Sequence, residues 1–189
     1  MLSNARDVQK LDTFKLPTNF RGRSAVVVQL WWLVQATLFA CSPQFMYGWR
    51  CWLLKMFGAK VGKAVLLRPS IRITYPWKVT IGDFAWIGDD VVLYSLGEIE
   101  IGENAVVSQR SYVCAASHDH TQQDFPIYAK KVCIGAQAWV ATDAYIAPGV
   151  TIGEGAVIGA RSSVFKDMPS GMVCIGSPCV PIKRRKLSK

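Results

Sequence analysis

The feature that most constrains the fold is a block headed by an aliphatic residue and a glycine, which occurs five times. The head glycines, which lie 20, 20, 33 and 18 residues apart, are Gly62, Gly82, Gly102, Gly135 and Gly153. Within a block an aliphatic residue returns at every sixth position, as in Ile81, Ile87 and Leu93. This period matches neither an α-helix nor an alternating strand, and it is typical of a solenoid of short parallel strands. The sequence therefore predicts an all-β parallel solenoid with one interrupted block.

The period also predicts the shape of each coil. Six residues form one flat side, and three sides make a coil of about 18 residues, within the size range of solenoid repeats. The aliphatic residue points inward, and the residue after it, often Gly or Ala, is expected at a tight corner where a Cβ is costly. The repeats run from Val61 to about Val164, and periodicity alone leaves the hand of the coil open. General crossover statistics favour a right-handed coil.

Charge divides the 189-residue chain into three parts, although its length suits one domain with a substantial core. Residues 1–60, predicted to be extended and helical, carry +6; the solenoid domain, residues 61–182, carries −2; the tail, residues 183–189, carries +5. A nearly neutral body argues against nucleic-acid binding and places anionic partners at the two ends. Six cysteines without a CxxC pair, and no signal-peptide pattern, predict reduced thiols in a cytoplasmic protein.

The N-terminal part contains a long apolar stretch. Residues 24–49 carry no charged side chain, and the pattern predicts one helix within residues 25–41 and a second over 45–57 that ends at Gly58. These helices could cover one end of the solenoid or pack in an oligomer. Alternatively, residues 24–57 could lie in a membrane interface beside basic residues. A bilayer span is the least supported alternative, because an apolar core of 17 residues with two Gln is short.

The only two histidines, His118 and His120, stand at the start of the interrupted block. Loops inserted into a regular solenoid can build binding clefts, and an imidazole that titrates near neutrality can take a proton from a hydroxyl. His118 could equally be an ordinary polar loop residue. A metal site is not predicted, because the two histidines would point to opposite sides of an extended chain and no third imidazole exists.

Several motifs in the interrupted block and after it occur in a specific order. They are residues 116–119 (ASHD) followed by a loop, 134–140 (IGAQAWV), 148–153 (PGVTIG) and 176–178 (GSP). Together with the repeats, they resemble the left-handed β-helix, or hexapeptide-repeat, acyltransferases over roughly residues 61–185. The most similar subgroup is the exopolysaccharide O-acetyltransferases typified by colanic acid biosynthesis, which are related to the maltose and galactoside acetyltransferases. The resemblance implies a left-handed coil and a homotrimer with active sites between subunits.

The resemblance also implies acetyl-CoA as acyl donor, no metal, and roles for individual residues. His118 matches the general base, and Thr142 matches the residue whose backbone N–H stabilises the oxyanion, an interaction typically worth about 3 kcal/mol. Residues matched to contacts with coenzyme A are Trp139, Thr142, Ala160, Lys166, Lys183 and Arg184. Residues matched to contacts with the acceptor are Asp90, Asp119 and Trp139.

The function expected from these assignments is O-acetylation of a glycan or lipid-linked saccharide, by direct attack of a sugar hydroxyl with His118 as base. Two alternatives stay open: an acetyltransferase for an amino sugar or small hydroxylated metabolite, and a non-catalytic β-helix scaffold. The expected location is the cytoplasm, with possible peripheral contact at the inner face of the cytoplasmic membrane.

Overall fold

The computed structural model describes residues 8–187, most of which form a three-sided parallel β-solenoid. Each coil crosses three sheets in turn. Sheet 1 contains β1 (Lys60–Val61), β4 (Val79–Ile81), β7 (Ile99–Ile101), β12 (Val132–Ile134) and β15 (Thr151–Ile152). Sheet 2 contains β2 (Leu66–Leu67), β5 (Trp86–Ile87), β8 (Val106–Val107), β13 (Trp139–Val140), β16 (Val157–Ile158), β18 (Met172–Gly176) and β19 (Cys179–Arg184). Sheet 3 contains β3 (Arg72–Ile73), β6 (Val92–Tyr94), β9 (Tyr112–Cys114), β14 (Tyr145–Ile146) and β17 (Ser163–Val164).

The core consists of the residues that recur at every sixth position, which confirms the predicted period. Each side of a coil directs two residues inward, two positions apart, as with Ala85 and Ile87, and parallel pairing stacks these residues in register. In sheet 2 the stack runs through Leu67, Ile87, Val107 and Val140, each at most 1% exposed. Burying one such side chain stabilises the fold by about 1.5–3 kcal/mol relative to leaving it in water.

The head glycines lie where successive coils approach most closely. A Cβ on Gly102 would lie 2.4 Å from the backbone nitrogen of Ala136, and one on Gly82 would lie 2.5 Å from that of Glu103. The left-handed turn comes two residues after the glycine, at positions such as Asn104 (φ 54°). Glycine is therefore required because the coils stack closely at this position. The expected reason, a tightly turned backbone at the glycine itself, was wrong.

Three edges connect the sheets, and we number them in chain order. The first edge leads from sheet 1 to sheet 2 (for example residues 135–138), the second from sheet 2 to sheet 3 (141–144), and the third from sheet 3 back to sheet 1 (115–131). The outer face of sheet 1 is largely polar and consists of Lys60, Thr80, Glu100, Cys133 and Thr151. The outer faces of sheets 2 and 3 are mostly apolar and include Leu66, Trp86, Val106, Trp139, Val157, Val92, Tyr112 and Tyr145.

Two short helices cover the first coil. They are α1 (Ala25–Val34), which continues as a π-helical turn over residues 35–39, and α2 (Tyr47–Met56). The side chain of Trp31 donates to the carbonyl of Ile73 (2.8 Å), and the Gln35 amide oxygen accepts from the Ile73 N–H (2.7 Å). The helices therefore satisfy the open edge of β3, as one of the sequence alternatives predicted. The first helical segment, residues 25–39, lies within the predicted range, and α2 is shorter than the predicted 45–57.

The C-terminal strand extends further than the sequence pattern indicated. Residues 183–189 were predicted to form a basic tail, whereas β18 and β19 form an antiparallel hairpin that continues to Arg184. Arg185 then donates to the carbonyls of Gln137 (2.9 Å) and Gly155 (3.1 Å). A strand therefore crosses the predicted domain limit after residue 182.

Candidate active site

The insertion forms a hairpin that projects from the third edge. Its strands are β10 (Ala116–His118) and β11 (Ile127–Ala129), which pair in antiparallel fashion with His118 opposite Ile127. The Asp119 N–H donates to the carbonyl of Pro126 (2.9 Å) and closes the loop over residues 119–126. His118 is thus the last strand residue before the loop.

The His118 ring is held in a defined orientation. Its Nδ1 lies 2.8 Å from the carbonyl oxygen of Phe125, and the two rings stack with centroids 4.4 Å apart and an interplanar angle of 7°. A carbonyl oxygen can only accept, so the neutral ring must carry its proton on Nδ1. Nε2 then presents a lone pair, and it makes no hydrogen bond to any of residues 8–187. This arrangement suits a proton acceptor.

The carboxylate of Asp119 organises the loop. It accepts from the N–H (3.0 Å) and hydroxyl (2.6 Å) of Thr121 and from the side-chain amide of Gln122 (2.7 Å). The hydrogen bonds from Thr121, followed by that from Gln122, lower the pKa of Asp119 from 3.8 to about 2. The observed contacts are internal to the loop, and the substrate contact stays a prediction.

The second edge carries three of the other predicted residues. Asp90, Thr142 and Ala160 occupy this edge in different coils, and the Arg161 N–H donates to the Thr142 carbonyl (2.9 Å) between adjacent coils. The backbone N–H groups of Thr142 and Ala160 donate no hydrogen bond within residues 8–187. These groups are therefore free to bind a ligand.

An ion pair stiffens this edge beside Thr142. Arg110 donates from Nε and Nη2 to the two carboxylate oxygens of Asp143 (2.7 and 2.8 Å), and Arg161 lies 3.8 Å from the same carboxylate. Hydrogen bonding from Arg110 lowers the pKa of Asp143. The Thr142 hydroxyl donates to the carbonyl of Gln109 (2.8 Å), so the residue is tied to the preceding coil.

Trp139 lies on the outer face of sheet 2 between Val106 and Val157. Its indole N–H donates to the hydroxyl of Ser108 (2.9 Å), and 44% of the residue is exposed. An exposed aromatic face anchored at its polar end can pack against an apolar ligand arm or a neighbouring chain.

The predicted cations are spread over two edges. Lys166 is exposed on the third edge, whereas Lys183 and Arg184 end β19 beside the first edge. Arg185, which follows these two residues, donates to carbonyls of the first edge. Lys166 thus lies on a different edge from Lys183 and Arg184.

One chain does not bring the predicted catalytic residues together. His118 projects from the third edge and Thr142 lies on the second, so the width of sheet 3 separates their positions. One side of a coil contains about six residues, and six extended residues are about 20 Å long. This length is far greater than the length of a hydrogen bond. The sequence also missed Phe125 and the Arg110–Asp143 pair; the pair lies 33 residues apart and is detectable only after the insertion is subtracted from the repeat register.

No group of three or more His, Cys, Asp or Glu side chains that could hold a metal ion occurs among residues 8–187. Over the same residues, no helix has the length and apolar character needed to cross a bilayer.

Comparison with known proteins identifies the family. The chain is 59% identical over 178 residues to "Putative colanic acid biosynthesis acetyltransferase WcaF" of Escherichia coli (strain K12), with 94% of this chain and 98% of that protein covered. The chain belongs to the hexapeptide-repeat acetyltransferases. A family model described as "Bacterial transferase hexapeptide (six repeats)" also matches residues 134–166.

Solved structures of this family share the fold. A hexapeptide-repeat acetyltransferase of Vibrio cholerae O1 biovar eltor, complexed with acetyl coenzyme A, is 21% identical, has a TM-score of 0.78, and covers 98% of this chain and 100% of its own. A galactoside acetyltransferase in complex with coenzyme A is 23% identical, has a TM-score of 0.79, and covers 91% and 85% respectively. The fold is the left-handed parallel β-helix with a short N-terminal helical part, an exception to the crossover statistics.

Proposed function

We propose that this acetyltransferase moves an acetyl group from acetyl-CoA to a sugar hydroxyl of a glycan or lipid-linked saccharide, with His118 as general base. The orientation of the His118 ring supports the proposal most directly. The carbonyl of Phe125 holds the proton on Nδ1, and Nε2 is left free to take a proton from an alcohol. The relatives support the donor, because solved members of this fold were complexed with acetyl coenzyme A or coenzyme A.

The proposed reaction is a direct transfer. Nε2 of His118 takes the proton of the sugar hydroxyl while the hydroxyl oxygen attacks the thioester carbonyl carbon. The resulting oxyanion accepts a hydrogen bond from the Thr142 N–H, a donor whose loss typically costs about 10²–10³ in kcat. The intermediate then expels the thiolate of coenzyme A, which receives the proton from the His118 imidazolium. Trp139 and the Ala160 N–H would hold the pantetheine arm, and Lys166, Lys183 and Arg184 would pair with its phosphates.

The same proposal requires a homotrimer with each site formed by two subunits. His118 and Thr142 lie on different edges of one chain, and sheet 2 has a mostly apolar outer face that includes Trp86 (56% exposed). Packing sheet 2 of one copy against sheet 1 of the next, with the first edges at the threefold axis, would bury this face and bring the third edge of one chain near the second edge of another.

A subunit-mixing experiment tests both the base and the shared site. His118→Ala should abolish transfer of labelled acetyl from acetyl-CoA to a glycan fraction, whereas binding of coenzyme A should persist. Thr142→Pro, which removes the backbone N–H, should also be inactive. Refolding the two variants together should restore activity, because mixed trimers contain an interface with both groups intact. Turnover by His118→Ala alone, or mixtures as inactive as their parents, would contradict the proposal.

Mass spectrometry of the labelled product identifies the acceptor. Acetyl esters on saccharide hydroxyls support the proposed reaction. Acetyl amides on amino sugars would instead support the alternative acceptor class, and the absence of any labelled product would support a scaffold.

We further infer that residues 24–57 contact the cytoplasmic membrane peripherally, at its inner face. The helices expose Leu30, Leu38, Trp52 and Met56, between 50% and 65% each, beside Arg23 and Lys55. Residues 13–82 contain ten Lys or Arg and no Asp or Glu, a charge pattern that matches anionic headgroups. Such contact would place the enzyme beside a lipid-linked acceptor.

Vesicle sedimentation tests this contact. The protein should bind vesicles of phosphatidylcholine mixed with phosphatidylglycerol more strongly than vesicles of phosphatidylcholine alone. Leu38→Glu combined with Trp52→Glu should abolish binding, whereas Phe165→Glu, at an exposed apolar residue that follows β17 at the opposite end of the solenoid, should not. Equal binding by the double variant and the wild type would exclude this surface.

A further inference from the structure

The His118 ring has two phenylalanine rings from distant parts of the chain as neighbours. Phe125, in the loop, stacks on it at 4.4 Å, and Phe14, near the N-terminus, approaches it at 6.0 Å with an interplanar angle of 50°. Phe125 also supplies the carbonyl that accepts from Nδ1. One residue therefore restrains the imidazole through both its backbone and its side chain.

Phe14 belongs to a segment that runs along the third edge, residues 10–23, which we call the N-terminal strap. The strap is attached at both ends. The Lys10 N–H donates to the carbonyl of Gln123 (2.7 Å), which lies in the loop over residues 119–126, here called the catalytic loop. The Trp77 indole donates to the carbonyl of Arg21 (2.7 Å). Phe14 is half-buried between these attachments, so its position beside His118 is maintained by contacts on either side.

A third contact secures the middle of the strap to the solenoid. The Lys78 ammonium donates to the carbonyl of Phe20 (2.7 Å) and lies 5.2 Å from the centre of the Phe20 ring. The catalytic loop is therefore joined through the strap to the residues that precede α1. This connection explains how an N-terminal residue can act on a base that lies more than one hundred positions later in the sequence.

We propose that Phe125 and Phe14 are positioning residues that hold the His118 ring with Nε2 directed at the acceptor hydroxyl and Nδ1 kept as the protonated nitrogen. This inference rests on the proposed role of His118 as base. Without the rings, the imidazole can rotate about its side-chain bonds, lose the hydrogen bond to the Phe125 carbonyl and move its proton to Nε2. In that tautomer Nε2 cannot accept a proton, so the misplaced population is inactive.

Stacking on Phe125 has a second consequence. Once the base has taken the proton, the ring is a cation, and the face of an aromatic ring attracts a cation at this distance. The contact therefore favours the protonated product of the step as well as the geometry before it. A displacement of about 1 Å in a reacting group can by itself cost up to about 10²-fold in rate.

Two substitutions and two matched controls test the proposal in the full-length protein. Phe125→Leu removes the aromatic face and keeps an apolar side chain, and Phe14→Ala removes the second ring from a half-buried position that does not hold the core. Phe84→Leu is the control for Phe125→Leu, because Phe84 is also a phenylalanine with positive φ (58° against 48°) and lies away from His118. Leu11→Ala is the control for the strap, since Leu11 is 61% exposed.

The decisive readout is the tautomer of His118, measured by NMR of protein labelled at histidine nitrogen. The chain has only two histidines, so a His120→Asn variant assigns the signals. In the wild type and both controls, the neutral ring should carry its proton on Nδ1. In Phe125→Leu and Phe14→Ala, a substantial Nε2–H population should appear. Release of coenzyme A thiol with the glycan fraction should then show kcat about tenfold lower for Phe125→Leu, or about 1.4 kcal/mol in barrier, with KM for acetyl-CoA unchanged.

Failure of this inference is distinguishable from failure of the proposed function. If both Phe variants keep the wild-type tautomer and kcat, the two rings do not position the base, and the proposal is wrong even if His118→Ala is inactive. If the Phe variants change the tautomer while His118→Ala still transfers acetyl groups, the rings do position the histidine but it is not the base.

Discussion

Arg50 joins the helical cap to the first coil of the solenoid, and replacing it with methionine should lower the stability of the protein. Its side chain is fully buried and pairs with no carboxylate among residues 8–187. Nε donates to the carbonyl of Leu67 (2.7 Å), and Nη1 donates to the hydroxyl of Ser42 (2.8 Å) and the carbonyl of Pro43 (2.9 Å). Burial lowers the pKa of the guanidinium, which nevertheless stays charged at neutral pH.

The expected loss follows from the groups that methionine leaves without a donor. The Leu67 carbonyl belongs to a fully buried residue, and an unsatisfied buried acceptor costs about 1–3 kcal/mol. The acceptors on Ser42 and Pro43 are nearer the surface and can regain water, so they add less. We therefore expect Arg50→Met to lower the free energy of unfolding by about 3 kcal/mol, because the buried Leu67 carbonyl loses a charged donor and the remaining acceptors lose weaker, partly replaceable hydrogen bonds.

Thermal unfolding followed by circular dichroism, at fixed protein concentration, measures this loss. For a chain of this length, about 3 kcal/mol corresponds to a decrease of about 6–12 °C in the melting temperature. Lys55→Met is the matched control, because Lys55 lies on the same helix but is exposed, and it should melt close to the wild type. Acetyl transfer well below the melting temperature should be unchanged, since the hydrogen bonds of Arg50 go to residues 42–44 and 67 and not to the loop over residues 119–126. A melting temperature for Arg50→Met within about 2 °C of the wild type would refute this account of the cap.

Further predictions concern the coils and the loop. Gly102→Ala should destabilise the protein by several kcal/mol, of order 3, because its Cβ would meet the backbone of Ala136 at 2.4 Å. Gly48→Ala, in α2 with open space around the new Cβ, should stabilise by up to about 1 kcal/mol, and thermal unfolding measures both. Asp119 has a lowered pKa, so its stabilisation of the loop is present above pH 3.8 and is lost as pH falls through about 2. The NMR shift of the Thr121 amide should therefore stay constant from neutral pH to pH 3.8 and change towards pH 2, and it should not show this change in Asp119→Asn; a midpoint near 3.8 would contradict the lowered pKa.

The solenoid was predictable because its information is local and repeated. The inward residues Ile81, Ile87 and Leu93 are buried in successive sheets of one coil, as their six-residue spacing predicted. The motifs around His118 and residues 148–153 supported the family, which the comparison with relatives confirmed. The period gave no information at the C-terminus, because the residues of β19 carry no repeat signal. They form an antiparallel strand that extends into the predicted tail.

The candidate site was predictable as a set of residues but not as an arrangement. The loop position of His118 could be inferred. Its partner Phe125 follows seven residues later and has a positive φ, which the sequence does not indicate because the position holds neither glycine nor asparagine. The contact with Phe14 joins positions more than one hundred residues apart. No sequence pattern encodes such a contact.

By itself, the sequence determined how each coil is built. An apolar residue at every sixth position can be buried throughout only if each six residues form one side of a three-sided coil. Tertiary structure decided which edge each polar residue occupies and what it contacts. The Thr142 N–H donates no hydrogen bond within residues 8–187, and the His118 proton lies on Nδ1 because a folded loop brings a carbonyl to it. The hydrogen bonds at a site depend on contacts between groups that are distant in the sequence, and only the folded chain determines those contacts.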